Sequence, residues 1–460
     1  WGAAGFSAAI RASEITSGKA RIAMIGTGQI GGTCVNVGCV PSKYLIEASR
    51  MIYEPSNPKM RGILPVKISY DFHEIMAGLR EHVTNLRKSK YIDVLDSYPN
   101  VTLYDGIARF IDERRIQVAN DKVVSGRNII IATGSRPAIP AIAGLDKAGY
   151  LTSDTIWNID ELPDSIAIIG GGAIGLEIGQ ALLRLGSKVT VIEALDTLLP
   201  QSEPEIGLIL KKRLENEGMK IMLKSRVISA RRENGRKVLQ VATAGGMEEI
   251  SVEEILVAAG RIPNTSDLNL QAAGIKTDSN GGIITDASMR TSVPWIYAAG
   301  DCVSKKMLLE TLAAREGVIA AENIFGKGGE IDYKSTPWAV FTNPQVAGVG
   351  MTEREYMLKY KVCSCRTFHL SNLTKAGIAG ETDGIIKITV EPRTGKVVGV
   401  HVISPNATDI ITEAAYAVQR GLTYRDIIDT IHIFPSYSEG IKLAAQSFIR
   451  DISRMPCCVE

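Results

Sequence analysis

No uninterrupted apolar run in this 460-residue chain approaches the roughly 18 residues that a bilayer-spanning helix needs, and no cleavable signal pattern opens it. The reading is a protein without a membrane span, expected in the cytoplasm. Net charge is nearly absent as well: 52 basic against 50 acidic residues leave +2, which gives no electrostatic reason to propose nucleic acid or an acidic membrane surface as partner. Small molecules are the default. Cysteine is sparse and odd in number, seven in all, which argues against a secreted disulfide framework; a disulfide in a reducing compartment would be catalytic. Repeats and low-complexity tracts are also missing, and the Pro-rich stretch 55–65 reads as a loop. What is there is a globular composition, 45% hydrophobic and 22% charged, at a length that predicts roughly two to four domains.

One stretch departs from this background: Gly31-Gly32-Thr33-Cys34-Val35-Asn36-Val37-Gly38-Cys39-Val40-Pro41-Ser42-Lys43. Two thiols five positions apart can close a small ring if the backbone coils, and Gly38 allows that. Pro41 suits the first turn of a helix continuing through Ala48. Cys39 would then sit at a helix N-terminus beside Lys43, where backbone dipoles and a cation both favour a thiolate. A structural disulfide or two unrelated core thiols would give the same spacing.

Two stretches carry the glycine pattern of a dinucleotide site. In the first, Trp1 to Ile10 reads as the end of a glycine turn, with Gly2 and Gly5, running into a helix of small residues; the strand and first glycine before it are missing, so several further residues are expected ahead of Trp1. The next strand, 21–25, ends at Gly26, where such folds place an acid for the adenosine ribose. The second is more complete. A strand over 166–169 leads into Gly170-Gly171-Gly172-Ala173-Ile174-Gly175, a helix over 176–185 and a strand over 188–193 ending at Glu193. Gly170, Gly172 and Gly175 let a pyrophosphate approach the helix start. Glu193 stands where a carboxylate can bind the 2′-hydroxyl of NADH and repel a 2′-phosphate, and residues 194–199 offer no Arg, Lys or His for NADPH.

The thirteen-residue stretch and its setting resemble the pyridine nucleotide-disulfide oxidoreductases, a flavoenzyme family, over essentially the whole chain. The resemblance implies an α/β fold with two Rossmann-like dinucleotide-binding domains, for FAD and NAD(P), and a C-terminal α+β interface domain that forms a homodimer. The implied boundaries are 1–150 and 269–336 for the FAD domain, 151–268 for the NAD(P) domain and 337–460 for the interface domain. Gly32 and Thr33 belong to the flavin site. So do the Ala132-Thr133-Gly134 segment and Asp301, whose carboxylate binds the ribityl chain in the family; Gly260 marks the return from the inserted domain. Cys34 would exchange with substrate and Cys39 would contact the flavin. Lys43 would approach the flavin with Glu177 as its carboxylate partner, since a buried lysine left alone tends to lose its charge.

The C-terminal segment resembles the mercury-reducing members of that family. Cys457 and Cys458 are adjacent thiols on a tail that Pro456 keeps from continuing as helix, and two soft donors can share one soft ion. Where disulfide-reducing members carry a histidine before proline, this chain has Phe434-Pro435, so proton shuttling to an organic thiol is unsupported and His432 reads as structural. Tyr437 and Tyr150 match active-site tyrosines. The implied reaction is FAD-dependent reduction of Hg(II) to Hg(0) by NADH or NADPH, with Hg(II) taken from small-thiol complexes by Cys457 and Cys458 of the partner subunit and passed to Cys34 and Cys39. The alternatives are a dihydrolipoyl dehydrogenase- or thioredoxin reductase-like disulfide reductase and a non-catalytic thiol scavenger. Cys302 reads as buried packing, and Cys363 with Cys365 as one exposed strand face.

Overall fold

The computed structural model describes residues 1–119, 122–304, 307–362 and 364–452. Helix α1 (Ala3–Ile15) runs into β1 (Ile22–Gly26), then the short α2 (Gly32–Val37), α3 (Cys39–Ser56) and α4 (Phe72–Arg87). Strand β2 (Val101–Asp105) pairs in parallel with β1, from Ile22 opposite Val101 to Gly26 opposite Asp105. Strand β3 (Ile129–Ile131) waits for a partner from much later in the chain. The helix begun at Cys39 reaches Ser56 and so takes in Pro55, which the sequence pattern assigns to a loop. A proline one residue from a helix end sacrifices only its own N–H bond, so it closes the helix without breaking it.

Strand β4 (Leu151–Thr152) opens the second layer, followed by β5 (Ser165–Ile169), α5 (Ala173–Arg184), β6 (Lys188–Ile192), β7 (Lys220–Met222) and β8 (Glu254–Val257). These strands form one parallel sheet in the order β7-β6-β5-β8-β4, the winding of a mononucleotide-binding half. All five residues of β5 are buried, as expected for a central strand covered on both faces. Between β7 and β8 a three-stranded antiparallel meander, Arg226–Glu233, Arg236–Thr243 and Gly246–Val252, covers one side.

The chain then returns to the first layer. Strand β9 (Ile296–Ala298) pairs in parallel with β3, Ile296 opposite Ile129, and α6 (Glu310–Ile324) lies along α1. Small residues permit that close crossing: a Cβ on Gly317 of α6 would fall 2.2 Å from the carbonyl oxygen of Ala4. Finally β10 (Trp338–Val340), β11 (Gln345–Gly350), β12 (Ser364–His369), β13 (Ile385–Val390) and β14 (Val397–Ser404) make an antiparallel sheet ordered β10-β11-β14-β13-β12. Helices α7 (Ala407–Arg420) and α8 (Glu439–Gln446) supply Ile410, Ile411, Ala414, Ile441 and Ala444 to its core. Among the described residues no helix is long and apolar enough to cross a membrane.

Candidate active site

The short α2 and the long α3 meet at the cysteine pair. The backbone at Gly38 is not left-handed (φ −119°), but a Cβ there would stand 2.9 Å from the Thr33 carbonyl oxygen and 3.1 Å from Cys34 Cα, so only glycine lets α2 and α3 turn this tightly. Cys34 is half-buried on α2 and Cys39 is the exposed first residue of α3; both are free thiols in the structure. The Cys34 Sγ–H donates to Glu310 Oε2 at 2.8 Å, and one donor atom from each of Cys34, Cys39 and Glu310 lies within 4.8 Å of the other two. The hydrogen bond with Cys39, burial and the negative Glu310 hold the Cys34 thiol far above the ordinary thiol range. Cys39 moves the other way, drawn down by the Cys34 hydrogen bond and then by the Lys43 cation. The proton therefore belongs to Cys34 and the negative charge to Cys39.

Lys43 reaches Glu177 of α5 at 2.7 Å and stands 4.4 Å from the Phe341 ring centre. The other Glu177 oxygen accepts the Phe341 backbone N–H at 2.9 Å. One carboxylate thus ties α3, α5 and the segment between β10 and β11. The burden of burial differs from expectation: the Lys43 side chain is 34% exposed and Glu177 only 6%. It is the carboxylate that needs the partner. Beside this pair, a cavity of about 640 Å³ is lined by Cys34, Cys39, Lys43, Tyr44, His82 and Glu310.

Both glycine turns are shaped for dinucleotides. Helices α1 and α5 begin at Gly2 and Gly172, and neither start is capped by a side chain, leaving N–H groups for an anion. A Cβ on Gly172 would meet nothing within 4 Å, which leaves room for a phosphate, whereas one on Gly175 would lie 2.4 Å from the Gly170 carbonyl oxygen. On the first turn, Gly32 has φ +67° and its Cβ would strike Gly2 Cα at 2.4 Å. Gly5 faces the Ala132 side chain of the Ala132-Thr133-Gly134 segment, and Ser135, next in that chain, donates to Asp301 Oδ2 at 2.8 Å. Arg261, just after Gly260, donates to Ser135 at 2.8 Å. Glu193 accepts the N–H of Gly171 at 2.6 Å and that of Leu195 at 2.8 Å, so its carboxylate is fixed against the glycine turn.

A redox-poised thiol pair beside two dinucleotide turns decides the family, and comparison with known proteins agrees. Residues 1–317 match the model of the pyridine nucleotide-disulphide oxidoreductases, and residues 336–445 match that family's dimerisation domain. The chain belongs to this family. A mercuric reductase of Lysinibacillus sphaericus is 37% identical over 99% of this chain and 83% of the relative, and one of Staphylococcus aureus is 36% identical with the same coverage. Among solved structures, LpdA of Mycobacterium tuberculosis superposes with a TM-score of 0.86 at 27% identity, covering 98% of both chains. The Cu(II) complex of the flavoprotein disulfide reductase RclA of Escherichia coli gives 0.84 at 26%, covering 98% of this chain and 99% of that one. Membership carries the α/β fold with FAD- and NAD(P)-binding domains, a dimerisation domain, and use of FAD with a pyridine nucleotide.

Within the family frame, other sequence-singled residues fall elsewhere in this single chain. Tyr150 packs against the cluster containing Ile169, Leu239 and Ile255, and Tyr437 is buried in the core of the dimerisation domain. Neither lines the sulfur cavity. His432 pairs with Glu413 at 2.7 Å, the structural part read for it, and Phe434 is 45% exposed. Cys302 is fully buried, while Cys365 is half-buried on β12. Cys457, Cys458 and Cys363 lie outside the described residues. Sequence reasoning missed Glu310, Tyr91 and Phe341. Tyr91 borders Glu310 and Cys34, and its phenol is pushed up to about 12 by burial and then by the Glu310 charge. No spacing signals a residue that meets Cys34 from 276 positions away.

Proposed function

We propose that this chain reduces Hg(II) to Hg(0) with NADH or NADPH. The observation that carries the reading is the close pair of Cys34, its thiol pushed up, and Cys39, its thiol drawn down, both lining the cavity, in a chain whose similar curated relatives are mercuric reductases. FAD would supply two-electron transfer between the nicotinamide and the sulfur pair. Gly2, Gly32, Thr33, Ala132, Thr133, Gly134 and Asp301 would hold it, and Gly170, Gly172, Gly175, Glu193 and Gly260 would hold or border the nucleotide. Lys43 sets a positive charge beside Cys39, and Glu177 holds Lys43 in place. An incoming dithiolate complex of Hg(II) exchanges one ligand for Cys34 and one for Cys39. The Cys34 proton leaves with one displaced ligand as a thiol, and the ligand that the Cys39 thiolate replaces leaves as a thiolate, so no free ion appears. Per turnover, NAD(P)H gives two electrons to the Hg(II) dithiolate and yields NAD(P)+, Hg(0), one thiol and one thiolate.

In the proposed homodimer, Cys457 and Cys458 of the partner subunit capture Hg(II), and Tyr150 and Tyr437 assist at the site. The domain limits are 1–150 with 269–336, 151–268, and 337–460; the proposed compartment is the cytoplasm, where thiols stay reduced. Glu193 favours NADH. Phe434 stands against the disulfide-reductase alternative, because a phenyl ring cannot pass protons. The test compares NADH oxidation by the FAD-loaded protein with thiol-bound Hg(II), oxidised glutathione and lipoamide. Hg(II) should be favoured by at least about a hundredfold, the scale of a missing acid-base group. Comparable rates on all three would reject the mercuric reading.

A further inference from the structure

Glu310 stands out as a charged donor at the sulfur pair that the proposed reaction does not use. Hg(II) is satisfied by two thiolates in a linear arrangement and needs no oxygen. A carboxylate nevertheless sits on Cys34 at 2.8 Å, at the start of a helix 276 residues away in sequence. It shares with both sulfurs a volume in which all three donor atoms lie within 4.8 Å.

That separation suits a smaller, harder ion. Zinc binds thiolates at about 2.3 Å and carboxylates at about 2.0–2.2 Å, so donors around one ion stand under about 4 Å apart. The present spacing, within 4.8 Å, exceeds that limit by no more than about 1 Å. Two thiolates with one carboxylate are a donor set for a cation of borderline softness, with water in the remaining position. The cavity of about 640 Å³ gives a hydrated ion access. Tyr91 borders the carboxylate, and Lys43 near Cys39 offsets part of the site's negative charge.

We propose that Glu310, Cys34 and Cys39 of the reduced protein form a three-donor site for a borderline d10 divalent cation, Zn(II) or Cd(II). The ion displaces the Cys34 thiol proton, binds the Cys39 thiolate as it stands and changes no oxidation state. Zinc has no redox chemistry in such a site, so the bound ion is not turned over and occupies both sulfurs that Hg(II) would need. The proposal rests on reading Cys34 and Cys39 as an accessible dithiol.

The test uses the FAD-loaded full-length protein carrying Cys457→Ser and Cys458→Ser, so that the tail cannot bind the ion. Its thiols are released with a phosphine reductant that is then removed without air. Calorimetric titration with Cd(II) alone, alongside the thiolate-to-cadmium ultraviolet band, should give one ion per subunit. Glu310→Gln and Glu310→Ala should each weaken binding by at least about tenfold, the scale of one lost charge-assisted contact, with the number of reactive thiols per subunit unchanged from the parent. Affinity unchanged within about twofold in both variants would overturn the proposal. X-ray absorption of the Cd(II)-loaded unsubstituted Glu310 protein gives an answer even if both variants misfold: two sulfurs with oxygen support the site, and a sulfur-only shell overturns it. Thiol release by NADH is measured in parallel. Its failure would sink the redox reading of the pair and leave the Cd(II) result standing.

Discussion

The two nucleotide turns of this chain solve one problem with different parts. Both begin an uncapped helix at a glycine, Gly2 for α1 and Gly172 for α5. They part at the end of the following strand. At the second turn, the proposed nicotinamide-nucleotide site, Glu193 presents a carboxylate anchored by the N–H groups of Gly171 and Leu195. On the flavin side the matching position is Gly26, and a Cβ there would lie 3.0 Å from the Trp1 indole. No side chain fits. A nucleotide that enters and leaves every turnover must be chosen each time, and a fixed carboxylate discriminates a 2′-hydroxyl from a 2′-phosphate. A resident cofactor held by extended contact would need no such selective group.

Substitutions can break that comparison on either side. The largest effect should come from filling the turns themselves. Gly175→Val drives a side chain into the Gly170 carbonyl, and Gly32→Val drives one into Gly2 at a positive φ; each should cost about 3 kcal/mol locally, near a hundredfold. If the turns are independent, Gly175→Val loses NADH turnover with flavin content intact, while Gly32→Val loses flavin. Absorbance of the purified proteins and their NADH kinetics separate the two. Loss of flavin in both would show that the halves fold as one unit.

Next in size is the clamp joining the two sides. Lys43→Met strands the buried Glu177 carboxylate, and with Lys43 one-third exposed and screened, about 2 kcal/mol of stability should go. The double variant Lys43→Met/Glu177→Leu should recover part of it in denaturant melts. A double variant weaker than either single one would mean the pair is not the source. Smaller still, Glu193→Ala should narrow the preference for NADH over NADPH by about 1–2 kcal/mol in kcat/KM, and an unchanged ratio would remove Glu193 from selection.

The smallest effect lies away from both turns. Glu413 raises the pKa of His432 above the ordinary histidine value, chiefly through their hydrogen bond. A raised folded pKa means that the stabilisation is complete below about pH 6.5 and fades as pH climbs through the higher folded value. Glu413→Gln should therefore cost stability at pH 6 and little at pH 9. Equal losses at both pH values would show a packing effect instead.

What could be read in the chain beforehand was local. The cysteine stretch, the Gly170-to-Gly175 turn and Glu193 announce themselves because glycines, apolar runs and acids at fixed offsets act within one supersecondary unit. The strand over 166–169 and the helix after it appear as β5 and α5 within a few residues. Pro55 was misplaced because a proline near a helix end is compatible with helix or loop, and only packing decides. Glu310, Tyr91 and Phe341 were invisible for another reason: each meets the site through tertiary contact. No local pattern marks a carboxylate that meets Cys34 from the start of α6.

The central claim, that Cys34 and Cys39, once reduced through the flavin, hold the Hg(II) that reduced flavin converts to Hg(0), is tested most directly by following the flavin spectrum during anaerobic NADH addition and then Hg(II) addition. One equivalent of NADH should produce a long-wavelength thiolate-to-flavin charge-transfer band, absent in Cys39→Ser. Further NADH with thiol-bound Hg(II) should restore the oxidised flavin spectrum while Hg(0) vapour leaves the solution. Flavin reduction without the charge-transfer band, or reoxidation without Hg(0), would contradict the account.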